Sequence, residues 1–199
     1  TRVSLSIGLM AVFISNFIGI ILGLISGYYG GYIDKVIVWI INVFWSIPTL
    51  LLVIALSLAL GKGFWQVYIA IGLSIWVDVA RLVRGKVISE KSKDYIFASK
   101  VLGYNDIKIL LNNILPNIIS PILIFSAANF ASSILLESGL SFLGIGSQPP
   151  TPSWGYMIKE SYQYIIFGNS YLIIIPSIFL ICMVLSFYYL SNHLASKKL

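Results

Sequence analysis

The sequence predicts an all-α, polytopic membrane protein with five transmembrane helices. Of its 199 residues, 58% are hydrophobic and only 10% are charged, and the mean hydropathy is +0.93. A soluble domain carries about 25% charged residues. A helix that spans the bilayer needs about 20 mostly apolar residues. Five segments meet this requirement, and they cover residues 3–26, 36–60, 65–84, 117–138 and 171–191.

The positions of the basic residues predict how these helices are oriented. Seven of the thirteen lysine and arginine residues lie between positions 81 and 108. Basic residues accumulate in cytoplasmic loops, so we predict a long cytoplasmic loop at 85–116 and an extracytoplasmic loop at 139–170. This topology accounts for the net charge of +6 without a nucleic-acid partner. It also places Thr1 outside, although the residues that follow it do not have the pattern of a signal sequence. One further helix before Thr1 would explain this location, so we expect six helices in the full-length subunit.

Small residues recur at every fourth position along the first predicted helix. They include Ala11, Ser15, Gly19, Gly23 and Gly27. Such a stripe lets another helix approach closely, and close packing drives helix association in lipid. We therefore expect Gly19, Gly23 and Gly27 to form a tight interface with a neighbouring helix or subunit. Ordinary glycine usage in membrane helices is the alternative.

The cytoplasmic loop has the pattern of two short amphipathic helices. Apolar residues fall at helical spacing in 95–102 and again in 107–114, and Gly103 separates the two stretches. Glycine is the residue that most often ends a helix. Asn105 can cap the second helix, and Asp106 lies in its first turn, where the helix dipole favours an acid. The loop has too few apolar residues for a core of its own, so its apolar faces must rest on lipid, on the membrane helices or on another protein.

This loop resembles the cytoplasmic coupling loop of bacterial ABC-importer permeases. That family has Glu-Ala-Ala, then a glycine, and later a hydrophobic residue followed by Leu-Pro. Here Phe97-Ala98-Ser99, Gly103 and Ile114-Leu115-Pro116 stand at these places, with Phe97 in place of the usual Glu. A salt bridge from that position to an ATPase is therefore not carried over. The resemblance implies that the contact with the ATPase is made by Tyr95, Phe97, Ala98, Ser99, Gly103, Tyr104, Asp106, Leu115 and Pro116.

A second stretch is more specific. "ESGLSFLGIGSQPPTPSWGYMI" at 137–158 resembles the outer loop of the second, C-type permease subunit of dipeptide, oligopeptide and nickel ABC importers, and "SGYYGGYID" and "ARLVRGKVIS" also fit that subunit. The resemblance implies the type I ABC-importer permease fold, in the bacterial cytoplasmic membrane. It makes the outer loop a docking and gating surface, whereas simple membrane anchoring is the alternative. Its outer-loop or gate residues are Glu137, Ser141, Phe142, Leu143, Gly144, Gln148, Pro149, Pro150, Trp154 and Gly155.

The same resemblance implies partners that supply energy and cargo. The sequence contains no G-x-x-x-x-G-K-[ST] motif, so we predict no enzyme activity and no cofactor in this chain. ATP and Mg would be bound by two ABC ATPase subunits. A homologous permease and an extracytoplasmic solute-binding protein complete the implied importer. Its expected cargo is a di- or oligopeptide, with nickel or a metal–metallophore complex as the variant. One histidine and one distant cysteine predict no metal site here.

Two acids inside the predicted helices bear on the alternatives. We expect Asp78 to pair with Arg81 at the inner interface, and Glu137 to lie near an outer helix end, where an acid costs little. Glu137 is a candidate for a direct role in the gate or with cargo. An ion-driven secondary transporter would need acids or broken helices near the bilayer midplane, and a membrane enzyme would need clustered catalytic groups. We predict neither, because both acids are expected near helix ends.

Overall fold

The computed structural model describes residues 2–61, 63–147, 151–166 and 168–196, and these are almost entirely helical. The first half of the chain contains α1 (Arg2–Tyr29), α2 (Gly31–Trp45), α3 (Thr49–Ala59), α4 (Phe64–Lys91) and α5 (Asp94–Val101). The second half contains α6 (Asp106–Lys108), a π-helical turn (Ile109–Ile114), α7 (Leu115–Leu143), α8 (Trp154–Ser161), a 3-10 turn (Tyr162–Ile165) and α9 (Tyr171–Ser196).

Four of the described helical stretches are long and apolar enough to cross a membrane. They are Arg2–Tyr29, Trp65–Lys91, Asp106–Leu143 and Tyr171–Ser196, and α2 with α3 makes a fifth span if the bent pair counts as one. The all-α membrane fold predicted from composition is therefore confirmed.

The predicted single helix over 36–60 is wrong, because α2 and α3 meet at an angle of 90°. The break falls at Ser46, Ile47 and Pro48. Pro48 has no N–H for the helical ladder, and its ring disfavours helical backbone at the preceding Ile47. Pro48 instead adopts an extended conformation, with φ −54° and ψ 126°, immediately before α3.

Two further helix boundaries differ from the prediction. The helix predicted over 65–84 continues to Lys91, so the loop predicted to begin at residue 85 starts as an extension of α4. The second short helix of the loop does not end before the next span. From Asp106 it passes through the π-helical turn directly into α7, and Pro116 lies in the first turn of that helix.

The small-residue stripe of α1 packs against α4 of the same chain. A Cβ atom added to Gly19, Gly23 or Gly27 would lie 2.6, 2.7 or 2.8 Å from the Cβ atoms of Val79, Val83 and Val87, respectively. Real Cβ contacts are longer, so each of these positions requires glycine. The partner residues advance together along both helices, which shows that α1 and α4 run parallel. The partner helix that the sequence left open is therefore α4.

The core forms three clusters along this pair of helices. One lies at the ends of α1 and α4 next to residues 94–114. It contains Leu24, Val83, Ile96, Ile109 and Ile114, among others. A second surrounds Ile7, Val67 and Ile71 towards the outer end, and a third joins α2 to α4 around Ile41 and Trp76. In contrast, α9 packs at the periphery, and only 6% of the residues in its most apolar stretch are buried.

Candidate functional site

Residues 94–114, which the charge distribution predicts to be cytoplasmic and which we call the cytoplasmic segment, are anchored to the membrane helices by their inner face. Ile96, Ile109 and Ile114 are each 0% exposed and belong to the core cluster that contains Leu24 and Val83. The regularly spaced apolar residues of the segment are therefore buried against the membrane helices and not in a core of the segment itself. The inner face of the segment shares one core with α1 and α4.

Polar contacts hold both halves of the segment in place. The Tyr28 hydroxyl at the end of α1 donates a hydrogen bond to Asp106 Oδ1 over 2.6 Å. At the end of α4, Glu90 accepts a hydrogen bond from the Tyr95 hydroxyl at 2.6 Å and forms an ion pair with Lys93 at 2.8 Å. Burial, together with the hydrogen bond to the Glu90 carboxylate, raises the pKa of the Tyr95 phenol to about 12. Tyr95 therefore stays a neutral donor at physiological pH.

The bend between the two helical pieces is built as the sequence predicts. Gly103 has φ +79°, a left-handed conformation that suits glycine, and a Cβ at this position would have no atom within 4 Å. The Asn105 side chain accepts a hydrogen bond from the Lys108 backbone N–H at 2.8 Å, which confirms the predicted cap. Ser99, on the inner side of α5, is buried and accepts a hydrogen bond from Asn113 Nδ2 at 2.6 Å.

The face of the segment that points away from the membrane helices carries apolar side chains that no described residue covers. Phe97, Leu102 and Ile107 are 55%, 72% and 63% exposed, and Val101 is 88% exposed. We call these four residues the apolar patch. Five other predicted contact residues lie in the same region: Ala98, Gly103, Tyr104 and Pro116 are exposed, and Leu115 is half-buried. Lys108 lies 3.9 Å from the Tyr104 ring centroid, so the patch is bordered by positive charge.

At the outer end, Glu137 does not line an open transport path. It lies at the centre of a buried cluster of polar side chains. Its side chain is 0% exposed. Ser4 Oγ of α1 donates to Glu137 Oε2 at 3.1 Å, and Ser141 Oγ donates to Oε1 at 2.7 Å. Ser141 Oγ in turn accepts from the Ser147 backbone N–H at 3.0 Å. We call Ser4, Glu137, Ser141 and Ser147 the serine–glutamate knot. The expectation that Glu137 is inexpensive to accommodate is wrong, because the tertiary packing removes it from water.

The outer loop folds back onto the end of α7. Gly144 ends that helix with φ +83°, and Phe142 and Leu143 remain 41% and 52% exposed. Gly155 of α8 lies so close to the Ser138 carbonyl that a Cβ there would overlap it. Trp154 stacks on Phe179 of α9, with ring centroids 5.3 Å apart.

Ser153 caps this short outer helix, since its Oγ accepts from the Tyr156 backbone N–H at 3.2 Å. The predicted outer-loop residues Gln148, Pro149 and Pro150 lie outside the described residues.

The expected ion pair between Asp78 and Arg81 does not form. Arg81 donates to Asn42 Oδ1 at 2.8 Å and lies 3.7 Å from the Trp45 ring centroid, and Asp78 accepts from Trp45 Nε1 at 3.2 Å. Both side chains are drawn to α2, which the sequence pattern within α4 could not indicate. Asp78 also lies halfway along α4 and not near its end.

The sequence analysis did not predict the ion pair between Arg84 and Asp34. Arg84 makes a two-pronged ion pair with Asp34, with N–O distances of 2.6 and 2.7 Å, and Ser26 also donates to Asp34. The contact ties the beginning of α2 to the cytoplasmic half of α4. The basic residue and the acid are far apart in sequence, so only an opposite-charge match between the two predicted inner helix ends could have suggested it.

Comparison with known proteins identifies the class of this architecture. Residues 19–198 match the family described as "Binding-protein-dependent transport system inner membrane component". The chain belongs to this family. The family description places its members in the inner membrane as parts of a transport system, so this permease is not itself an enzyme.

Individual relatives agree with the family assignment. The permease is 37% identical, over 90% of its length, to the dipeptide transport system permease protein DppC of Bacillus subtilis, covering 56% of that relative. It is 38% identical, over 97% of its length, to the glutathione transport system permease protein GsiD of Escherichia coli, covering 63% of it. The chain thus spans about three-fifths of the length of the curated relatives it matches.

Solved structures show the same fold. Inward-facing MetNI, a methionine ABC transporter, aligns with a TM-score of 0.78 and 18% identity, over 98% of this chain and 93% of that one. An amino acid ABC transporter aligns with a TM-score of 0.66 and 20% identity, over 98% of this chain and 90% of that one.

The family match, and not the geometry, separates the permease from an ion-driven transporter. We expected neither a broken helix nor a mid-membrane acid, yet α2 and α3 are broken at 90° and Asp78 lies in the middle of α4. Both features are compatible with either class of transporter. The family assignment rests on sequence over most of the chain, so it decides between them.

Proposed function

We propose that this permease is one of two membrane subunits of an ATP-driven importer for di- and oligopeptides. The similarity to a dipeptide and a glutathione permease supports the cargo class. The complete importer would contain a homologous permease, two ABC ATPases that bind ATP and Mg, and an extracytoplasmic solute-binding protein. The permease itself supplies no ATPase site, since its sequence lacks the phosphate-binding motif.

One structural observation carries the coupling step: the cytoplasmic segment is rigidly held on its inner face and apolar on its outer face. An exposed apolar patch bordered by charge is typical of a protein–protein contact. The outer face would lie in a groove of the ATPase. Closure of the ATPases would move the segment as a rigid body, because Ile96, Ile109 and Ile114 are embedded in the core of α1 and α4.

The outer end would receive cargo from the binding protein. Exposed Phe142, Leu143 and the aromatic side chains that follow α8 form an accessible surface there. Gly144 and Gly155 allow the loop to fold tightly onto α7, and the serine–glutamate knot holds that fold in place. In this arrangement Glu137 supports the outer surface and does not touch the cargo.

The coupling step is tested by a charge placed in the apolar patch. Val101 is 88% exposed, so Val101→Asp leaves the fold intact and places a carboxylate where the ATPase groove would desolvate it. We expect the variant to reach the membrane at normal levels, to lose copurification with the ATPase subunits and to lose ATP-driven uptake of a labelled dipeptide. Ile166→Asp is the matched control, because Ile166 is also 88% exposed but lies in the outer loop.

Ile166→Asp should copurify with the ATPases as well as the unmodified chain does. Normal copurification and uptake by Val101→Asp would contradict the proposed coupling surface. Uptake of amino acids or metal ions in place of peptides by the unmodified importer would contradict the proposed cargo.

A further inference from the structure

A cleft opens beside the break between α2 and α3, between the middle of α4 and the middle of α7. Its volume is about 350 Å³, and its lining includes four polar side chains among leucine and isoleucine: Thr49, Asp78, Asn129 and Ser132. Asp78 comes from the middle of α4, and Asn129 and Ser132 come from the middle of α7. These positions are far from both ends of the membrane helices. The cleft therefore belongs neither to the apolar patch nor to the serine–glutamate knot.

The carboxylate of Asp78 has no cationic partner among the described residues. The ion pairs there join Arg84 to Asp34 and Lys93 to Glu90, and Arg81, one turn away, is engaged by Asn42 and the Trp45 ring. A single hydrogen bond from Trp45 Nε1, at 3.2 Å, reaches Asp78. An acid at this depth is costly unless it faces a water-filled cavity or a partner. The open cleft supplies that cavity.

Asn129 provides an independent indication of a ligand. It is only 8% exposed, and its Nδ2 donor has no hydrogen-bond acceptor among the residues that the structure describes. A buried donor without an acceptor costs about 1–3 kcal/mol, so native structures rarely retain one without a reason. The amide lines the same cleft as Asp78. The cleft therefore offers a charged acceptor and an unused donor to one molecule.

The broken helix places a helix N-terminus at the same cleft. Thr49 is the first residue of α3 and lines the cleft together with Asp78. The helix dipole makes this end favourable for negative charge, so it suits the Asp78 carboxylate that would receive the ammonium group. Non-helical backbone at membrane depth is tolerated where it lines a cavity. The break at Pro48 thus has a use beyond turning the chain.

We propose that this cleft is a contact site on the transport path for the primary ammonium group of the cargo. Asp78 accepts hydrogen bonds from the ammonium group, and Asn129 Nδ2 donates to a carbonyl oxygen beside it. A peptide amino terminus presents this pair of groups, and a lysine side chain presents the ammonium group alone. The inference rests on the proposed function in that it assigns the cleft to the path of a peptide.

Protection of a thiol tests binding without requiring transport. In the assembled importer carrying Cys182→Ser, the variant Ser132→Cys places the only thiol of this permease in the cleft. We expect dialanine to slow its modification by a water-soluble maleimide, and N-acetyl-dialanine not to do so. Adding Asp78→Asn should abolish the protection. Ser170→Cys, exposed in the turn before α9, is the matched control and should be modified at the same rate with and without dialanine.

N-acetyl-Ala-Lys amide distinguishes the two sources of ammonium. Protection by dialanine alone assigns the site to peptide amino termini, and protection by both peptides assigns it to any primary ammonium group. Protection that is absent, or that persists with Asp78→Asn, would overturn the proposal. Loss of the second permease from the purified Asp78→Asn complex would also overturn it, because Asp78 would then pair with that subunit.

Uptake separates this inference from the proposed function. In proteoliposomes, Asp78→Asn should lower dialanine uptake per ATP hydrolysed by about tenfold, as expected for loss of a hydrogen bond to a charged group. Asp78→Glu should restore most of the uptake. If the unmodified importer takes up dialanine and Asp78→Asn does so equally well, the cleft assignment fails and the function stands. If the unmodified importer takes up no peptide but dialanine protects the thiol, the function fails and the site stands.

Discussion

The cytoplasmic segment and the outer end solve opposite problems with the same helices. The cytoplasmic segment leaves apolar side chains exposed, with Val101 88% and Leu102 72% exposed. Its inner face makes polar contacts, among them those of Tyr28 with Asp106 and of Tyr95 with Glu90. The outer end does the reverse, burying Glu137 and Ser141 completely. Exposed apolar surface is a cost that a partner removes, whereas a buried carboxyl group is a cost that internal donors must offset. The first region is therefore built for contact and the second for holding its own shape.

The largest expected effect is on the serine–glutamate knot. Glu137→Ala leaves the hydroxyls of Ser4 and Ser141 without their acceptor and opens a cavity, so the free energy of unfolding should fall by about 3 kcal/mol. Thermal unfolding in detergent measures this change. Glu137→Gln keeps the shape and one acceptor, and should lose less. Val101→Asp should leave the unfolding temperature unchanged, and an equal loss in both regions would remove the contrast between them.

The contact between α1 and α4 joins the two regions, and its glycines should show an intermediate effect. A Cβ on Gly23 would lie 2.7 Å from Val83 Cβ, so Gly23→Ala should cost about 1–3 kcal/mol of stability. Gly85→Ala is the matched control on α4, where an added Cβ has no atom within 4 Å and helix propensity improves. Val83→Gly removes the opposing Cβ atom, so combining it with Gly23→Ala should cost less than the sum of the two single changes. A neutral Gly23→Ala would show that the two helices separate without cost.

The smallest expected effect is local to the cytoplasmic segment. Asn105→Ala removes the side-chain acceptor for the Lys108 N–H and should destabilise that turn by about 1 kcal/mol. Faster hydrogen exchange of the Asp106–Lys108 amides would report it, with thermal unfolding of the whole chain unchanged. Asn105→Ser should preserve the cap. A global loss of stability from Asn105→Ala would mean that the segment supports the fold and is not merely carried by it.

Local features of both regions could be predicted because they depend on residues close in sequence. The left-handed backbone at Gly103 and the caps at Asn105 and Ser153 follow from the side chains at those positions and their nearest neighbours. The small-residue stripe of α1 also follows from spacing alone. Its partner did not, because Val79, Val83 and Val87 resemble any other valines in an apolar helix.

The errors arose where a contact joins distant parts of the chain. Asp78 and Arg81 are spaced for an ion pair along α4, yet Trp45 and Asn42 of α2 take both side chains. Glu137 reads as an acid near a helix end, and only the approach of Ser4 and the fold of the outer loop bury it. The break before Pro48 is a different kind of error: its signal is local and the prediction of one helix over 36–60 missed it, whereas the angle of 90° is not fixed locally.

The sequence by itself determined the membrane class and the helix boundaries around Gly103, and it predicts the orientation of the helices. Hydrophobic length, charge distribution and turn residues act locally, and each can be read without knowing what lies opposite. Only the tertiary structure decided which helix receives the glycines of α1, which acid is buried and which stays open to a cleft. Those outcomes depend on the competition between burial and hydrogen bonding across helices, and that competition has no counterpart along the chain.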